Sequence, residues 1–365
     1  MKKSFTPCPQ SPNLLLAYQN PPHLNLMKYK LPFLVGLASL AALVGVQAQT
    51  AVTDPVGYIT HTIAANASVA ESYLAVTLVN KTDFAGSSVA APSGNTVSIT
   101  GIPAGLNNTS LLEIKSGANA GWWSSVVSSV AGTVTILDAL PAGLPAGTAI
   151  TIRKHMTIGG FLGATNSAGL KPGTSPADAD EVQVLDNSAN PQAVSSYFYV
   201  SGLAPAVPDG WYDGGANPAQ NVVLVPGSAV KVVHKTATPL SLVSVGYVKT
   251  TPTQVDLYKG ENWVAPMRAT GVTLGDSNIN TGNIATGLDQ GSGFADADEI
   301  QVLDAAQLVT AYFGLDPALG FGSGIFDGGA AASNGVLVPE HKGLNVVRKV
   351  TTPAIWTVPA VTIAQ

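Results

Sequence analysis

The chain has 365 residues, of which 46% are hydrophobic and only 11% are charged, and its formal net charge is −5. Disordered chains are usually rich in charged residues and poor in β-branched ones, so this composition predicts a folded protein with a substantial core. The acidic balance argues against nucleic acid as a partner, because binding to nucleic acid depends on clustered lysine and arginine side chains.

Residues 27–48 have the pattern of a cleavable secretion signal. Lys28 and Lys30 precede an uncharged apolar run, which ends in small residues that a signal peptidase can cut after Ala48. The run is shorter than the roughly 20 residues that a membrane-spanning helix needs, so we expect no stable membrane span in the mature chain. We therefore expect the signal at residues 27–48 to be removed during export to the periplasm, the cell surface or the medium. Because the signal is self-sufficient, we expect translation to begin at Met27, so that residues 1–26 are an N-terminal extension absent from the product; the alternative is an unusually long n-region.

Removal of residues 1–48 changes the charge and the cysteine content. It takes away four lysines and no acid, which leaves 13 basic groups against 22 acidic ones and a net charge of −9. The only cysteine, Cys8, lies in the same segment. Because the mature chain then has no disulfides, its stability must come from burial, from bound ions or from assembly.

An internal repeat is the clearest signal in the sequence. The ten residues at 177–186 return at 295–304 with one conservative change, Val182 to Ile300. The match continues in the same order through an aromatic-Asp-Gly-Gly turn, a Val-Leu-Val-Pro segment and a Val-Val-x-Lys segment. Such a series predicts that the chain contains an internal duplication.

Weaker matches extend the repeat upstream and set the predicted domain boundaries. Val56-Gly57-Tyr58 resembles Val245-Gly246-Tyr247, so each half is expected to open with this triplet. We predict a first β lobe over residues 49–243, with an inserted β module at about 90–156. A second β lobe over 244–365 is expected to repeat the first without the insert.

Short segments that alternate polar and apolar residues, such as Glu181–Asp186, are typical of half-buried strands. The Asp-Gly-Gly triplets are strong turn signals, and few segments can form a helix longer than two turns. The sequence therefore predicts an all-β fold, with tandem antiparallel β-sandwich or barrel-like lobes that arise from an internal duplication.

Four short motifs resemble those of a family of uncharacterised secreted bacterial all-β proteins. They are a Thr-Asp-Pro-Val-Gly-aromatic stretch at 53–58, a Ser-Gly-x-x-Ala-Gly-aromatic segment at 116–122, a Leu-Pro-x-Gly-Leu-x-Ala-Gly-Thr run at 140–148 and a Pro-Gly strand at 226–235. The resemblance covers most of residues 53–240, and the partial second copy departs from the family pattern. It implies export and β structure but adds no chemistry, because the family has no assigned activity.

Two copies of an acidic cluster are the best metal-site candidates. Closely spaced carboxylates can ligate a structural calcium ion, although this spacing matches no complete calcium-loop signature. The alternative is a solvated acidic loop at the start of a strand. The residues are Asp178, Asp180 and Glu181 in the first copy and Asp296, Asp298 and Glu299 in the second.

Trp122 and Trp123 are the candidate ligand-binding residues. Adjacent residues of a strand point to opposite faces, so one of the two rings is expected to be exposed after the Gly-rich turn that precedes them. An exposed tryptophan can stack on a sugar ring or fill a partner's pocket. The alternative is that both rings belong to the core.

No catalytic constellation is recognised. The sequence has no Gly-x-Ser-x-Gly elbow, no close pair of histidines and no cysteine after residue 48, and His234 is replaced by Arg348 in the second copy. We therefore expect a non-enzymatic exported β protein with a structural or surface-interaction role, whose partner is an extracellular glycan or protein. The alternatives are a carbohydrate-binding module that uses Trp122 or Trp123 and a secreted hydrolase that uses the acidic clusters.

Overall fold

A computed structural model describes residues 55–65, 69–203, 205–304, 306–320 and 324–361. The predicted secretion signal and the N-terminal extension lie outside these residues. Within the described part of the chain, no helix is long and apolar enough to cross a membrane. The described residues belong to one compact unit.

The described residues form short strands joined by turns, with 44% of residues in strands and 2% in helix. The first strands are β1 (Val56–Ile63), β2 (Ala70–Ala75), β3 (Thr82–Ser87), β4 (Thr96–Ser98), β5 (Ser110–Ile114), β6 (Trp123–Val130), β7 (Thr133–Ile136) and β8 (Ala149–Lys154). The next elements are β9 (Met156–Thr157), helix α1 (Ile158–Leu162), β10 (Glu181–Asp186), β11 (Ala193–Val200), β12 (Gly210–Asp213), β13 (Val223–Leu224), β14 (Ala229–His234) and β15 (Leu240–Tyr247). The last elements are β16 (Thr253–Leu257), β17 (Gly260–Val264), β18 (Val272–Thr273), β19 (Glu299–Leu303), β20 (Val309–Gly314), a 3-10 helix (Pro317–Leu319), β21 (Ile325–Asp327), β22 (Leu337–Val338), β23 (Leu344–Arg348) and β24 (Ala354–Val358). The predicted all-β class is confirmed.

The N-terminal lobe consists of β1, β2 and β9–β15. Its central antiparallel sheet has the strand order β12-β11-β10-β14-β2. Val182 of β10 lies opposite Tyr197 on one side and Val232 on the other. Two further pairs, β1 with β15 and β9 with β13, complete the lobe. Buried aliphatic residues and the buried Trp211 form its core.

The C-terminal lobe consists of β16–β24 and has the same topology. Its central sheet has the order β17-β23-β19-β20-β21, and Ile300 lies opposite Tyr312 and Val346. The pairs β16 with β24 and β18 with β22 take the places of β1 with β15 and β9 with β13. The repeated sequence therefore adopts the same strand pairing twice, while its origin by duplication stays a prediction.

The two Val-Gly-Tyr triplets lie opposite each other within the N-terminal lobe. In the β1–β15 pair, Val56 faces Tyr247, Gly57 faces Gly246 and Tyr58 faces Val245. By strand pairing, the counterpart of β1 in the C-terminal lobe is β16. The boundary predicted between residues 243 and 244 falls inside β15, which pairs with the first strand of the N-terminal lobe.

The insert module consists of β3–β8, which form one antiparallel sheet in the order β3-β8-β5-β6-β7-β4. It has a core of its own, built from buried aliphatic side chains that include Leu112, Val126, Val134 and Ile152. The chain leaves the N-terminal lobe after β2 and returns to it at β9, directly after the module. The module is therefore a sheet with its own core, inserted between β2 and β9 of the N-terminal lobe.

One buried carboxylate in each lobe links the loop before a strand of the central sheet to the end of the neighbouring strand. Asp180 links the loop before β10 to the end of β14, and Asp298 links the loop before β19 to the end of β23. Asp298 is fully buried and accepts hydrogen bonds from the backbone N–H of Asp289 (2.8 Å) and Lys349 (2.7 Å) and from Nη1 of Arg348 (2.9 Å). Arg348 also donates to the carbonyl oxygens of Gly287 (2.9 Å) and Thr352 (2.8 Å). Burial raises the pKa of Asp298, and these hydrogen bonds and Arg348 act in the opposite direction.

Asp180 makes the equivalent contacts in the N-terminal lobe. It accepts hydrogen bonds from the backbone N–H of Lys171 and Lys235, both at 2.7 Å, and lies 2.7 Å from Nδ1 of His234. His234 and Arg348 thus occupy the same structural position and contact the same carboxylate. The replacement of His234 by Arg348 between the two copies therefore preserves a polar partner for the buried carboxylate.

We expect Asp298→Ala to destabilise the protein by about 3–5 kcal/mol, because it leaves Arg348 buried without its carboxylate partner. Asp296→Ala is the matched control, since Asp296 is an exposed acid of the same cluster and its loss is expected to cost less than about 0.5 kcal/mol. Chemical denaturation of both variants measures the difference in free energy of unfolding. Equal values for the two variants would show that the buried pair does not stabilise the lobe.

Two buried histidines are held in the neutral form. Burial lowers the pKa of His61 and of His155 to about 4 in each case. His61 lies 2.9 Å from the hydroxyl of Ser244, and His155 lies 3.1 Å from the hydroxyl of Ser125. Neither histidine is paired with a described carboxylate in these contacts.

The low pKa values predict that acid destabilises the fold. Unfolded histidine binds a proton near pH 6.5, so the contribution of His61 is fully present above that pH and is lost as the pH falls towards about 4. We expect His61→Gln to reduce the acid-induced loss of stability by an amount on the order of 2 kcal/mol. Melting temperatures of both proteins between pH 8 and about pH 4 test this. If the melting temperatures of the two proteins fell equally with decreasing pH, the proposed contribution of His61 would be contradicted.

Candidate functional site

A cavity of about 450 Å³ lies where the N-terminal lobe, the insert module and the C-terminal lobe meet. This volume is typical of sites that take small molecules. We call this cavity the cleft. Its aromatic lining residues are Trp123, Tyr197, Tyr258 and Trp263, and its acidic lining residues are Asp186 and Asp256.

Trp123 reaches the cleft because the loop before it packs on the segment that joins the two lobes, residues 248–252, and on β16, which follows that segment. The backbone N–H of Gln254 donates to the carbonyl oxygen of Gly121 (3.0 Å), and the Trp123 indole N–H donates to the carbonyl oxygen of Gln254 (3.2 Å). Gly121 has a φ of +91°, and a Cβ there would lie 2.7 Å from backbone atoms of Pro252. Only glycine permits this close approach.

A buried ionic cluster fixes the insert module to the same joining segment. The Glu113 carboxylate of β5 lies 2.5 Å from the Lys249 ammonium and accepts a 2.7 Å hydrogen bond from the Thr251 hydroxyl. Arg153 of β8 lies 3.6 Å from the other carboxylate oxygen and donates to the carbonyl oxygen of Asn80 (3.0 Å). Burial lowers the pKa of Lys249, and Glu113 opposes that shift.

The two lobes meet directly at the wall of the cleft. The backbone N–H of Ala265 donates to the carbonyl oxygen of Gly227 (2.8 Å), and Ser228 forms a β-bridge with Val264. Gly227 has a φ of +82°, and a Cβ there would lie 2.3 Å from Cγ2 of Val255. A turn of one lobe is thus packed onto two strands of the other.

A second contact between the lobes lies beside the cleft. The Gln192 side-chain amide donates to the carbonyl oxygen of Glu261 (2.8 Å) and accepts from the Glu261 backbone N–H (2.9 Å). Asn187 donates to the side-chain oxygen of Asn262 at 2.9 Å. These side-chain bonds hold the β10–β11 turn against the segment from β16 to β17, which carries Asp256 and Tyr258.

Three carboxylates act on Tyr258, and one of them also acts on Asp256. Desolvation raises the pKa of Asp256, and the nearby Asp138 of the insert module raises it further. Desolvation also raises the pKa of Tyr258, with Asp256, Asp138 and Asp186 acting in the same direction. Each of the three modules therefore contributes one carboxylate to the surroundings of Tyr258.

The two candidate tryptophans lie in different environments. Trp123 lines the cleft, and its ring also contacts the His155 ring edge-to-face with centroids 6.4 Å apart. Trp122 packs instead against the core of the insert module. The structure therefore places one of the two residues at the candidate site.

The acidic clusters lie away from the cleft lining, and their carboxylates bond to separate partners. Asp178 accepts a 2.8 Å hydrogen bond from the Ser175 hydroxyl, and Asp296 accepts one from Ser292. Glu181 pairs with Lys235 at 2.7 Å, whereas Glu299 accepts from the Gln301 side chain at 2.9 Å. Among the described residues, no group of three or more acidic, histidine or cysteine side chains is arranged to hold a metal ion.

Sequence reasoning missed most of the cleft. Trp123 was among the predicted ligand-binding residues, whereas Tyr197, Asp256, Tyr258 and Trp263 were not. The last four residues come from β11 and from the segment that runs from β16 to β17, which only the packing of the lobes brings together. The one sequence signal was the Gly-rich turn before the paired tryptophans.

No known protein family, no curated protein and no solved structure matches the chain. The function proposed below therefore depends on the cleft itself and on the sequence patterns.

Calcium binding by the acidic clusters stays a prediction. The hydrogen bonds and ion pairs that their carboxylates already make indicate how the protein should respond to calcium. Because each described carboxylate already has its own partner, we expect added calcium or a chelator to change the melting temperature by less than about 1 °C. A rise of several degrees with calcium that the chelator reverses would contradict this. The variant Asp178→Asn would then show whether the exposed acid takes part.

Proposed function

We propose that this chain is an exported, non-catalytic β protein with a surface-interaction role, and that it acts by holding a ligand in the cleft. The single observation that carries the proposal is a cavity of about 450 Å³ lined by four aromatic side chains. Ligand sites usually combine such apolar and aromatic walls with a few polar groups that orient the ligand.

The construction of the cleft supports a binding role. Its walls are fixed by backbone hydrogen bonds between the lobes, by the loop at Gly121 and by the buried Glu113–Lys249 pair. A rigid site loses little conformational entropy when a ligand binds. The polar side chains Asn187, Ser188 and Ser195 also line the cleft and can exchange hydrogen bonds with a ligand.

Export is supported by the secretion signal predicted at residues 27–48 and by the resemblance to a family of secreted bacterial proteins. An exported binding protein meets its ligand outside the cytoplasm, in the periplasm, on the cell surface or in the medium. The predicted partners, an extracellular glycan or protein, are of this kind.

A carbohydrate-binding module is the second candidate function. Trp123 favours it, because a half-buried tryptophan at a cleft can stack on the apolar face of a sugar ring. A glycan array with the purified protein tests this candidate. Binding that is lost in Trp123→Ala would support a carbohydrate ligand, and a blank array would count against it.

A fragment screen by ligand-observed NMR tests the binding proposal without assuming a ligand. We expect small polar and aromatic fragments to bind the protein and to lose at least about tenfold in affinity in Trp123→Ala, which removes a ring from the cleft wall. Tyr258→Ala is expected to act in the same direction.

Tyr58→Ala is the matched control, because Tyr58 is 75% exposed on β1 and does not line the cleft. Its fragment binding should equal that of the unaltered protein. Melting temperatures confirm that each variant is folded. A screen without hits, or hits that bind Trp123→Ala as well as the unaltered protein, would overturn the proposed function.

A further inference from the structure

The cleft carries negative charge without a compensating cation in its lining. Asp186 and Asp256 are its charged lining residues, and none of its described lining residues is lysine, arginine or histidine. Asp138 of the insert module lies near enough to act on Asp256. An anionic ligand would meet repulsion here, and a neutral one would leave the carboxylates uncompensated.

Asp186 and Asp256 differ in how their carboxylates are satisfied. Asp186 accepts hydrogen bonds from the Ser188 hydroxyl (2.7 Å) and from the backbone N–H of Ser188 (3.1 Å) and Ala189 (3.2 Å). The Asp256 carboxylate has no hydrogen bond or ion pair with another residue in the described part of the chain. Asp256 is exposed at the cleft, so its carboxylate is accessible to a cationic partner.

The aromatic rings of the cleft, like its carboxylates, favour a positively charged ligand. The face of a tryptophan or tyrosine ring is negatively polarised and attracts an ammonium or guanidinium group. Trp123 and Tyr258 line the cleft together with Asp256. The same type of contact already occurs within the protein, where the Lys231 ammonium lies 5.2 Å from the centre of the Trp263 ring.

The charged groups next to Trp263 do not supply a free cation to the cleft. Lys231 is paired with Glu71 at 3.2 Å. The Glu261 carboxylate accepts a 2.9 Å hydrogen bond from the Trp263 indole N–H. The positive charge of Lys231 is therefore matched by a carboxylate outside the cleft lining.

We infer that the cleft selects a ligand that carries an ammonium group, which binds between the Asp256 carboxylate and the rings of Trp123 and Tyr258. This inference rests on the proposed function and names the chemistry of its ligand. The ammonium group belongs either to an amino sugar or to an aliphatic amine. Both sources present the same charge, and they differ in the scaffold that meets the aromatic walls.

Isothermal titration with three probes tests the inference. The probes are the trimer of glucosamine, which is cationic, the trimer of N-acetylglucosamine, which has the same scaffold without the charge, and spermidine, which is a cation without a sugar. We expect the glucosamine trimer to bind at least about tenfold more tightly than its acetylated form, as one charged contact provides. Comparable binding of spermidine would identify the amine alone as the recognised group, and weak binding would identify the amino sugar.

The variant Asp256→Asn removes the charge with little change in shape and is expected to abolish the difference between the two trimers. Asp83→Asn is the control, because it makes the same change in net charge at an exposed residue that does not line the cleft. It should leave the difference intact.

Three results would overturn the inference: equal binding of the two trimers, no binding of any cationic probe, or an unchanged preference in Asp256→Asn. In each case the fragment screen with Trp123→Ala decides separately whether the cleft binds ligands at all. The failure of cation selection is thereby distinguished from the failure of the proposed function.

Discussion

Each lobe depends on one carboxylate that is buried at the base of its repeated strand. Asp180 and Asp298 bind two backbone N–H groups and one basic side chain each, and these donors come from a loop and from the end of β14 or β23. A buried acid is costly unless its oxygens are satisfied, so the loop and the strand end must stay in place. This constraint fixes the β10 and β19 registers, from which the rest of each sheet is built.

The exchange of His234 for Arg348 shows what the constraint tolerates. Both side chains reach the same carboxylate, and both also contact the turn that follows their strand, His234 through Thr238 and Arg348 through Thr352. The position thus requires a donor that bridges the acid and the turn, and it does not require one particular residue type. A conserved contact with exchanged partners is typical of a structural role.

The cleft is a consequence of how three β units are joined. The insert module is attached through Glu113 and Gly121 to the segment between the lobes, and the lobes meet at Gly227 and at Glu261 of β17. Each of these contacts is a polar bond or involves a glycine, and glycine lets two backbones approach closely. The cleft remains where the larger aromatic side chains prevent such close packing. The cleft is negatively charged because Asp186 of the N-terminal lobe and Asp256 of the C-terminal lobe line it, and Asp138 of the insert module is near enough to act on Tyr258.

Alternation of side chains and Gly-rich turns are local properties of the chain, so the all-β class and the strands of the repeat were predictable from the sequence. The acidic segment was also visible in the sequence, but the burial of Asp180 and Asp298 and the exposure of Asp178 and Asp296 follow from packing between distant segments. The pairing of the two Val-Gly-Tyr triplets, the opposite environments of Trp122 and Trp123, and the cleft itself depend on residues far apart in the chain. Such contacts are set by the packing of whole units, which sequence periodicity does not encode.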